Sequence, residues 1–150
     1  MIRDDIQAAQ IAAMKARDTA TLNTSRLILA AIKNRDIELR TSANAPDDDV
    51  VVTEVMQKMI KQRRESVELY QKGGRPELAD AELAEITVIE RFLPQQMSET
   101  EAAAAIDAIA TELGATSVKD MGRVMAAMKE RHAGQLDMSK ASALVKARLG

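Results

Sequence analysis

The stretch from Asp18 to Arg40, DTATLNTSRLILAAIKNRDIELR, decides the fold class. The apolar residues in it that share the helical period are Leu22, Ile28, Leu29, Ile32 and Leu39. Side chains three and four residues apart lie on one face of an α-helix, and this spacing recurs along the chain. The one strand-like run, residues 50–53, follows three aspartates and continues into a helical pattern, so it too is assigned to a helix. We therefore predict an all-α protein.

The composition places the chain among globular proteins. Of its 150 residues, 46% are apolar and 29% are charged, which excludes low-complexity disorder and collagen. Cysteine is absent, so disulfides, thiolate nucleophiles and cysteine zinc sites are excluded. The apolar runs are far shorter than the roughly 20 residues that cross a bilayer, and the chain opens with the mixed charges MIRDD. We expect a cytoplasmic protein with no membrane segment.

Four helices are predicted in an N-terminal helical domain, residues 1–94. Proline and glycine set its limits: residues 41–49 form a loop around Pro46, Gly73 and Gly74 end the third helix, and Pro94 ends the fourth. The fourth helix is expected to run through Phe92. The predicted helices cover about 2–15, 19–40, 50–72 and 76–93, and Asp18 and Thr19 offer a cap for the second of them.

A three-helix C-terminal domain is predicted for residues 95–150. Ser98 with Glu101 forms a capping box for the fifth helix, and Ser117 with Asp120 forms a shorter analogue for the sixth. Glycines end both of these helices, at positions 114 and 134. Asp137 or Ser139 caps the seventh helix.

The sixth helix has two faces of different chemistry. Val118, Met121, Met125 and Met128 form an apolar face, which we interpret as core because methionine fills gaps in cores that have few aromatic residues. The opposite face, called here the basic stripe, consists of Lys119, Gly122, Arg123 and Ala126. Glycine inside a helix costs about 1 kcal/mol, so Gly122 needs a reason. We favour packing against a neighbouring helix over close approach of a phosphate backbone.

Arginines interrupt the apolar phase of two helices in the first domain. Arg63 falls in phase with Met59 and Val67, and Arg26 interrupts the second helix in a similar way. For both we favour pairing with a carboxylate over binding of an external anion. The neighbouring cations are expected to be neutralised on a solvated face by i,i+4 pairs, which would join Lys61 to Glu65 and Arg64 to Glu68.

No catalytic or metal site can be assembled from the sequence. The acidic residues Asp80, Glu82 and Glu85 are interpreted as a solvated face, since no histidine ligand accompanies them. His132 is the only histidine and lies near the end of the sixth helix, where a packed or helix-terminal role is favoured. Motifs for nucleotide binding and for serine nucleophiles are absent. No enzyme activity, metal or cofactor is therefore predicted.

Six short stretches resemble the GatB/YqeY family in its stand-alone, YqeY-like form. Together they extend over nearly the whole chain in order. They are LILAAIK at 27–33, KQRRES at 61–66, GGRPEL at 73–78, FLPQQM at 92–97, GATSVKDMGRVM at 114–125 and the turn at 134–137. The resemblance implies a two-domain helical protein similar to the helical and tail regions of the B subunit of tRNA-dependent amidotransferases.

The resemblance also implies a role. In that amidotransferase the tail contacts tRNA, and the transamidation chemistry belongs to domains that have no counterpart in this sequence. A label of carbon–nitrogen ligase activity with glutamine as amido donor would be inherited by homology. The tRNA-contacting role carries over to Lys119, Gly122 and Arg123, and by proximity to Lys129 and Lys140. The turn at 134–138 departs from the family pattern, because it lacks the expected cation and final glycine.

Three functions remain open from the sequence. The first is a non-enzymatic accessory module that binds tRNA or tRNA-associated machinery weakly and in a salt-sensitive manner. The second is a protein–protein adaptor without RNA contact, in which a groove between the two domains presents cations to an acidic partner; its candidates are Arg26, Lys61, Arg63 and Arg64. The third is a self-contained amidotransferase or ligase.

Overall fold

Seven α-helices and a short 3-10 turn make up the part of the chain that the structure describes. The computed structural model describes residues 1–132 and 134–150, and within these residues there is no strand, so the all-α prediction is confirmed. The 3-10 turn covers Val118–Asp120. The helices are α1 Ile2–Ala16, α2 Thr19–Leu39, α3 Asp48–Lys72, α4 Pro76–Glu90, α5 Glu99–Leu113, α6 Met121–Arg131 and α7 Met138–Leu149.

The predicted capping residues begin the helices as expected. The Asp18 carboxylate accepts the backbone N–H of Thr21 at 3.2 Å at the start of α2, and Asp137 accepts that of Ser139 at 2.7 Å at the start of α7. Ser98 and Glu101 form the reciprocal capping box of α5. These contacts satisfy N–H groups that the first helical turn leaves without a partner, so local sequence is enough to place these helix starts.

The fourth helix is shorter than predicted. α4 ends at Glu90, and Phe92 lies beyond it in a turn. The backbone N–H of Phe92 donates to the Ile89 carbonyl at 3.1 Å. Proline disfavours the α conformation in the residue before it, so the influence of Pro94 reaches back along the chain. The prediction that the helix includes Phe92 was wrong.

The chain divides into two compact units, Met1–Leu93 and Pro94–Gly150, called here the N-terminal and the C-terminal unit. In the N-terminal unit α1 packs on α2 and α3 packs on α4. Its core consists mainly of aliphatic residues from all four helices. Those with the least exposure include Ile6, Ile28, Ile32, Val52, Met56 and Ile89.

The C-terminal unit packs α5, α6 and α7 around a second core. Its largest fully buried side chains are Ile106, Val124, Met128 and Val145. None of the helices described for this chain is both long and apolar enough to cross a membrane.

Candidate nucleic-acid interface

Asp120 organises the start of α6, where the basic stripe begins. Its carboxylate accepts the backbone N–H groups of Thr116 at 3.0 Å and Ser117 at 3.4 Å. It also accepts Nη2 of Arg123 at 2.7 Å. The hydrogen bond from Arg123, followed by those from the backbone, holds the pKa of Asp120 below its usual value. The Asp120 carboxylate thus stays charged near neutral pH and fixes the turn that leads into α6.

Arg123 is committed to this turn rather than left open to a ligand. Besides the ion pair with Asp120, its Nη1 donates to the Leu113 carbonyl at 3.4 Å, at the end of α5. An arginine with both an ion pair and a carbonyl contact presents a weaker field to an incoming phosphate. The pair has i,i+3 spacing, so the sequence contained the signal for it, although the pair was not predicted.

Gly122 lies on an open surface. A Cβ built at this position would meet no atom within 4 Å, and the residue is exposed in the first turn of α6. The expectation that Gly122 accommodates a neighbouring helix was wrong, because no described helix approaches it. What remains is a shallow site, with exposed Lys119 three positions earlier on the chain.

The methionine face of the sixth helix belongs to the core, as predicted. Met128 is fully buried, and Met121 and Met125 are partly buried against the same cluster, together with Val124. Val118 departs from the prediction, since it is 46% exposed. It belongs to the 3-10 turn, which has three residues per turn, so the 100° projection of an α-helix assigns it the wrong direction.

The three candidate lysines of the C-terminal unit are all exposed at their side chains: Lys119, Lys129 and Lys140. Lys140 lies on the wall of a cavity of about 290 Å³ with Met97, Leu136 and Leu144. Lys119 has no ion-pair partner among the described residues, whereas Lys129 takes part in an interaction within the chain. The three lysines therefore share exposure but differ in their surroundings.

The arginines of the C-terminal unit are all paired with carboxylates. Arg131 makes two hydrogen bonds to Glu112, at 2.6 and 2.8 Å, and Arg148 contacts Asp107 at 2.7 Å. The Arg131 guanidinium lowers the pKa of Glu112. With Arg123 also paired, lysine is the cation that this unit has left for an anionic ligand.

In the N-terminal unit, Arg63 pairs with a carboxylate, as its position in the sequence favoured. Its Nε lies 2.7 Å from Glu85 and 4.0 Å from Glu82, and its side chain is only 15% exposed. The acidic residues of α4 are therefore not a purely solvated face, because two of them hold Arg63. Among the described residues no cluster of three His, Cys, Asp or Glu side chains could hold a metal ion.

The i,i+4 pairs predicted on α3 do not form. Arg64 reaches Glu90 at 3.2 Å, and Glu68 instead pairs with Lys72 at 3.5 Å. Lys61 has no ion pair with Glu65 or with any other described residue. A carboxylate on an adjacent helix competes with local pairs, and exposed local pairs contribute only a few tenths of a kcal/mol.

Arg26 differs from Arg63, although the sequence suggested the same role for both. It is exposed on α2 and has no carboxylate partner among the described residues, so the expected pairing is wrong for Arg26. The adjacent positions Thr24 and Ser25 are the buried ones. The Ser25 hydroxyl donates to the Thr21 carbonyl at 2.6 Å, so the hydroxyl is satisfied inside the core and Arg26 faces solvent.

His132 caps the end of α6. Its Nδ1 lies 3.0 Å from Oε1 of Gln135, and its backbone N–H donates to the Met128 carbonyl at 2.9 Å. These contacts agree with the helix-terminal role favoured from the sequence.

In the part that the structure describes, the chain is all-helical, has no strand and forms two compact units. The family described as Yqey-like protein matches residues 3–149. The chain belongs to the YqeY-like family.

Curated relatives extend this similarity. The chain is 36% identical over 107 residues to altered inheritance of mitochondria protein 41 of Eremothecium gossypii, a match that includes 69% of the chain and 56% of the relative. It is 35% identical over 104 residues to the protein of the same name in Lachancea thermotolerans, over 67% of the chain and 54% of the relative. The chain spans about half the length of these curated relatives. Both relatives are named as mitochondrial, which is a statement about those proteins.

Proposed function

We propose that the chain is a non-enzymatic binding module that contacts tRNA, or machinery that carries tRNA, through lysines of its C-terminal unit. The observation that carries the proposal is the open surface at Gly122 beside exposed Lys119. Without a side chain at position 122, a phosphate backbone can come close to the first turn of α6. The YqeY-like family and its resemblance to a tRNA-contacting tail supply the kind of ligand.

The paired arginines determine what kind of binding is proposed. Lysine acts on phosphate as a hydrated point charge, whereas arginine binds it with a planar, two-pronged geometry. Contacts from Lys119 and Lys140 would give weak recognition of the backbone, without selection among base sequences, while Lys129 already takes part in an interaction within the chain. With about two phosphate contacts, log K should fall against log salt concentration with a slope of roughly −2.

Fluorescence anisotropy of the full chain with labelled bulk tRNA, titrated from low to physiological salt, tests the proposal. The double variant Lys119→Ala with Lys140→Ala should weaken binding about tenfold at low salt and make the salt slope shallower by about two. Lys72→Ala is the matched control, since this exposed lysine of α3 lies in the other unit and is paired with Glu68. Absence of tRNA binding at low salt, or equal loss in the control, would overturn the proposal.

The lack of catalysis is the second part of the proposal. It rests on the difficulty of assembling a nucleophile, a base and an oxyanion site from these residues. Purified chain supplied with glutamine and ATP should show no turnover above buffer. Turnover that one substitution in this chain abolishes would replace the binding module with an enzyme. The cytoplasmic location stays a prediction.

A further inference from the structure

Half of the large apolar residues that are exposed in the described structure lie on the first two helices. These are Ile11, Met14, Leu27 and Ile37; the others are Met1 before α1, Leu69 on α3, Leu83 on α4 and Val118 in the C-terminal unit. Single exposed apolar residues are ordinary, but several on one helical pair mark an interaction surface. The α1–α2 hairpin is therefore the part of the molecule to search for a docking site.

An open groove runs between these helices, with a volume of about 510 Å³. Gln7 and Ile11 lie on its α1 wall, and Leu29 and Lys33 lie on its α2 wall. We call it the α1–α2 groove. Arg3 and Asp36 also line it, and they belong to opposite ends of their helices, so α1 and α2 run antiparallel along its sides.

Arg3 and Asp36 close one end of the groove. Nη1 of Arg3 lies 2.7 Å from Asp36, and its Nη2 lies 2.6 Å from Asp48 on α3. The carboxylate that lines the groove is thus already engaged, and so is the arginine. This end of the groove therefore offers a partner no unpaired charge. Ion pairs with a partner must come from residues nearer the other end of the groove.

Away from this end, Lys33 lines the groove and Arg26 lies on α2 beyond the residues that line it. From Asp36 towards the start of α2, one helical face carries Lys33, Leu29 and Arg26, while the same face of α1 leads from Ile11 to Met14. Arg26 and Lys33 are exposed and have no ion pair in the part of the chain that the structure describes. Ile11 is 50% exposed and Met14 is 54% exposed. Two unpaired cations therefore lie beside an exposed apolar surface in a protein whose net charge is −2.

This combination fits one class of partner. The distance along α2 from Arg26 to Asp36, ten positions later, is about 15 Å, which is close to three turns of a helix. A helix laid into a groove presents apolar side chains at spacings of three and four residues and carboxylates at their edges. An RNA backbone would use the cations but would leave the aliphatic residues exposed, and no aromatic side chain lines the groove to stack a base.

We propose that the α1–α2 groove binds an acidic amphipathic helix of a partner protein. Its apolar side chains pack on Ile11, Met14 and Leu29. Its carboxylates pair with Arg26 and Lys33. The proposal concerns the N-terminal unit alone and does not depend on tRNA binding by the C-terminal unit.

A displayed library of random 16-residue peptides, selected on the immobilised full chain with excess bulk tRNA present, tests the proposal. The enriched peptides should carry Leu or Ile at i, i+3 or i+4, and i+7, flanked by Asp or Glu. A synthetic peptide from the enriched set should lose at least tenfold in affinity for the variant Arg26→Glu with Lys33→Glu. The peptide should also lose several-fold in affinity for the variant Ile11→Ala. Because the Ile11 side chain is half exposed, its removal leaves the core intact.

Lys72→Glu with Lys146→Glu is the matched control, because it makes the same change of charge at exposed lysines outside the groove. Circular dichroism confirms that each variant keeps its helices. No enrichment, enrichment without acidic residues, or equal loss in the control would overturn the proposal. Displacement of the peptide by tRNA would identify an RNA surface instead, and self-association of the chain that masks the groove would identify a second copy; either result also overturns it.

Discussion

The two units of this protein differ in how completely they pair their arginines, because the N-terminal unit pairs Arg3, Arg63 and Arg64 with carboxylates but leaves Arg26 without a described partner. In the C-terminal unit Arg123, Arg131 and Arg148 are each tied to a carboxylate, and the cations left for a ligand are lysines. In the N-terminal unit Arg26 is exposed without a described carboxylate partner, beside half-exposed Ile11 and Met14. Lysine on a smooth polar surface suits weak contact with a phosphate backbone, whereas arginine beside aliphatic residues suits a protein partner. The two units therefore suit the two different kinds of recognition proposed above.

The largest expected effect tests whether the two units are separate in stability as well as in packing. Ile28→Ala in the N-terminal unit and Met128→Ala in the C-terminal unit each remove a side chain with 0% exposure. Each should lower the free energy of unfolding by about 3 kcal/mol, since a cavity is left in a packed core. Hydrogen exchange followed by mass spectrometry should show the loss of protection concentrated in the unit that carries the substitution. Equal loss throughout residues 1–150 would contradict the division.

A smaller effect is expected at Arg63 of the N-terminal unit, whose side chain is 15% exposed. Arg63→Met keeps the length of the side chain but leaves Glu82 and Glu85 without their cation. We expect the free energy of unfolding to fall by about 2 kcal/mol, measured by urea denaturation. Arg64→Met is the matched control, and it should cost less than about 0.5 kcal/mol because both members of its pair with Glu90 are largely exposed. Equal effects from the two substitutions would contradict a structural role specific to Arg63.

Local rules explain what the sequence could predict. The starts of α2, α5 and α7 depend on capping residues within three positions, so they could be assigned from the sequence. The partner of Arg63 could not be assigned from the sequence, because Glu85 lies 22 positions away on another helix. The apolar phase of Arg63 did predict that it would meet a carboxylate, without saying which.

The candidate site was less predictable than the fold. The open space at Gly122 depends on which helices pack nearby, and no spacing in the sequence encodes it. The pair of Arg131 with Glu112 spans 19 positions and is equally hidden. The pair of Arg123 with Asp120 is different, since its i,i+3 spacing is visible in the sequence. The sequence analysis did not count this pair, although Asp120 lies one helical turn before Arg123 in the basic stripe.

Two glycines of the C-terminal unit should respond to alanine in opposite directions. Gly122→Ala should raise the free energy of unfolding by about 0.5–1 kcal/mol, since a Cβ there meets open space and alanine favours the helix. Gly114→Ala should lower it by about 1 kcal/mol, because Gly114 ends α5 with φ at 66°. Thermal unfolding of both variants measures the difference. Destabilisation by Gly122→Ala would restore the packing interpretation that the structure argues against.

The smallest expected effect is a dependence of stability on pH. In the N-terminal unit the hydrogen bonds from Arg3 hold the pKa of Asp36 below its usual value, and in the C-terminal unit Arg123 does the same for Asp120. A carboxyl whose pKa is lower in the folded than in the unfolded state binds fewer protons when folded. Its contribution is complete at neutral pH and is lost as the pH falls through about 4 towards the lower folded value.

In Asp36→Asn the free energy of unfolding should therefore fall less steeply between about pH 5 and pH 3. The fold survives because Arg3 keeps its ion pair with Asp48. At neutral pH the free energy of unfolding of Asp36→Asn should lie within about 1 kcal/mol of that of the unsubstituted chain, since the Asp36 side chain is 40% exposed and solvent screens its pair with Arg3. Urea denaturation at each pH measures it, and about 0.5 M salt should shrink it. An unchanged acid profile in Asp36→Asn would mean that the link between α1 and α2 at the closed end of the α1–α2 groove contributes no net stability. The groove would then have to be held open by the apolar core beneath it alone.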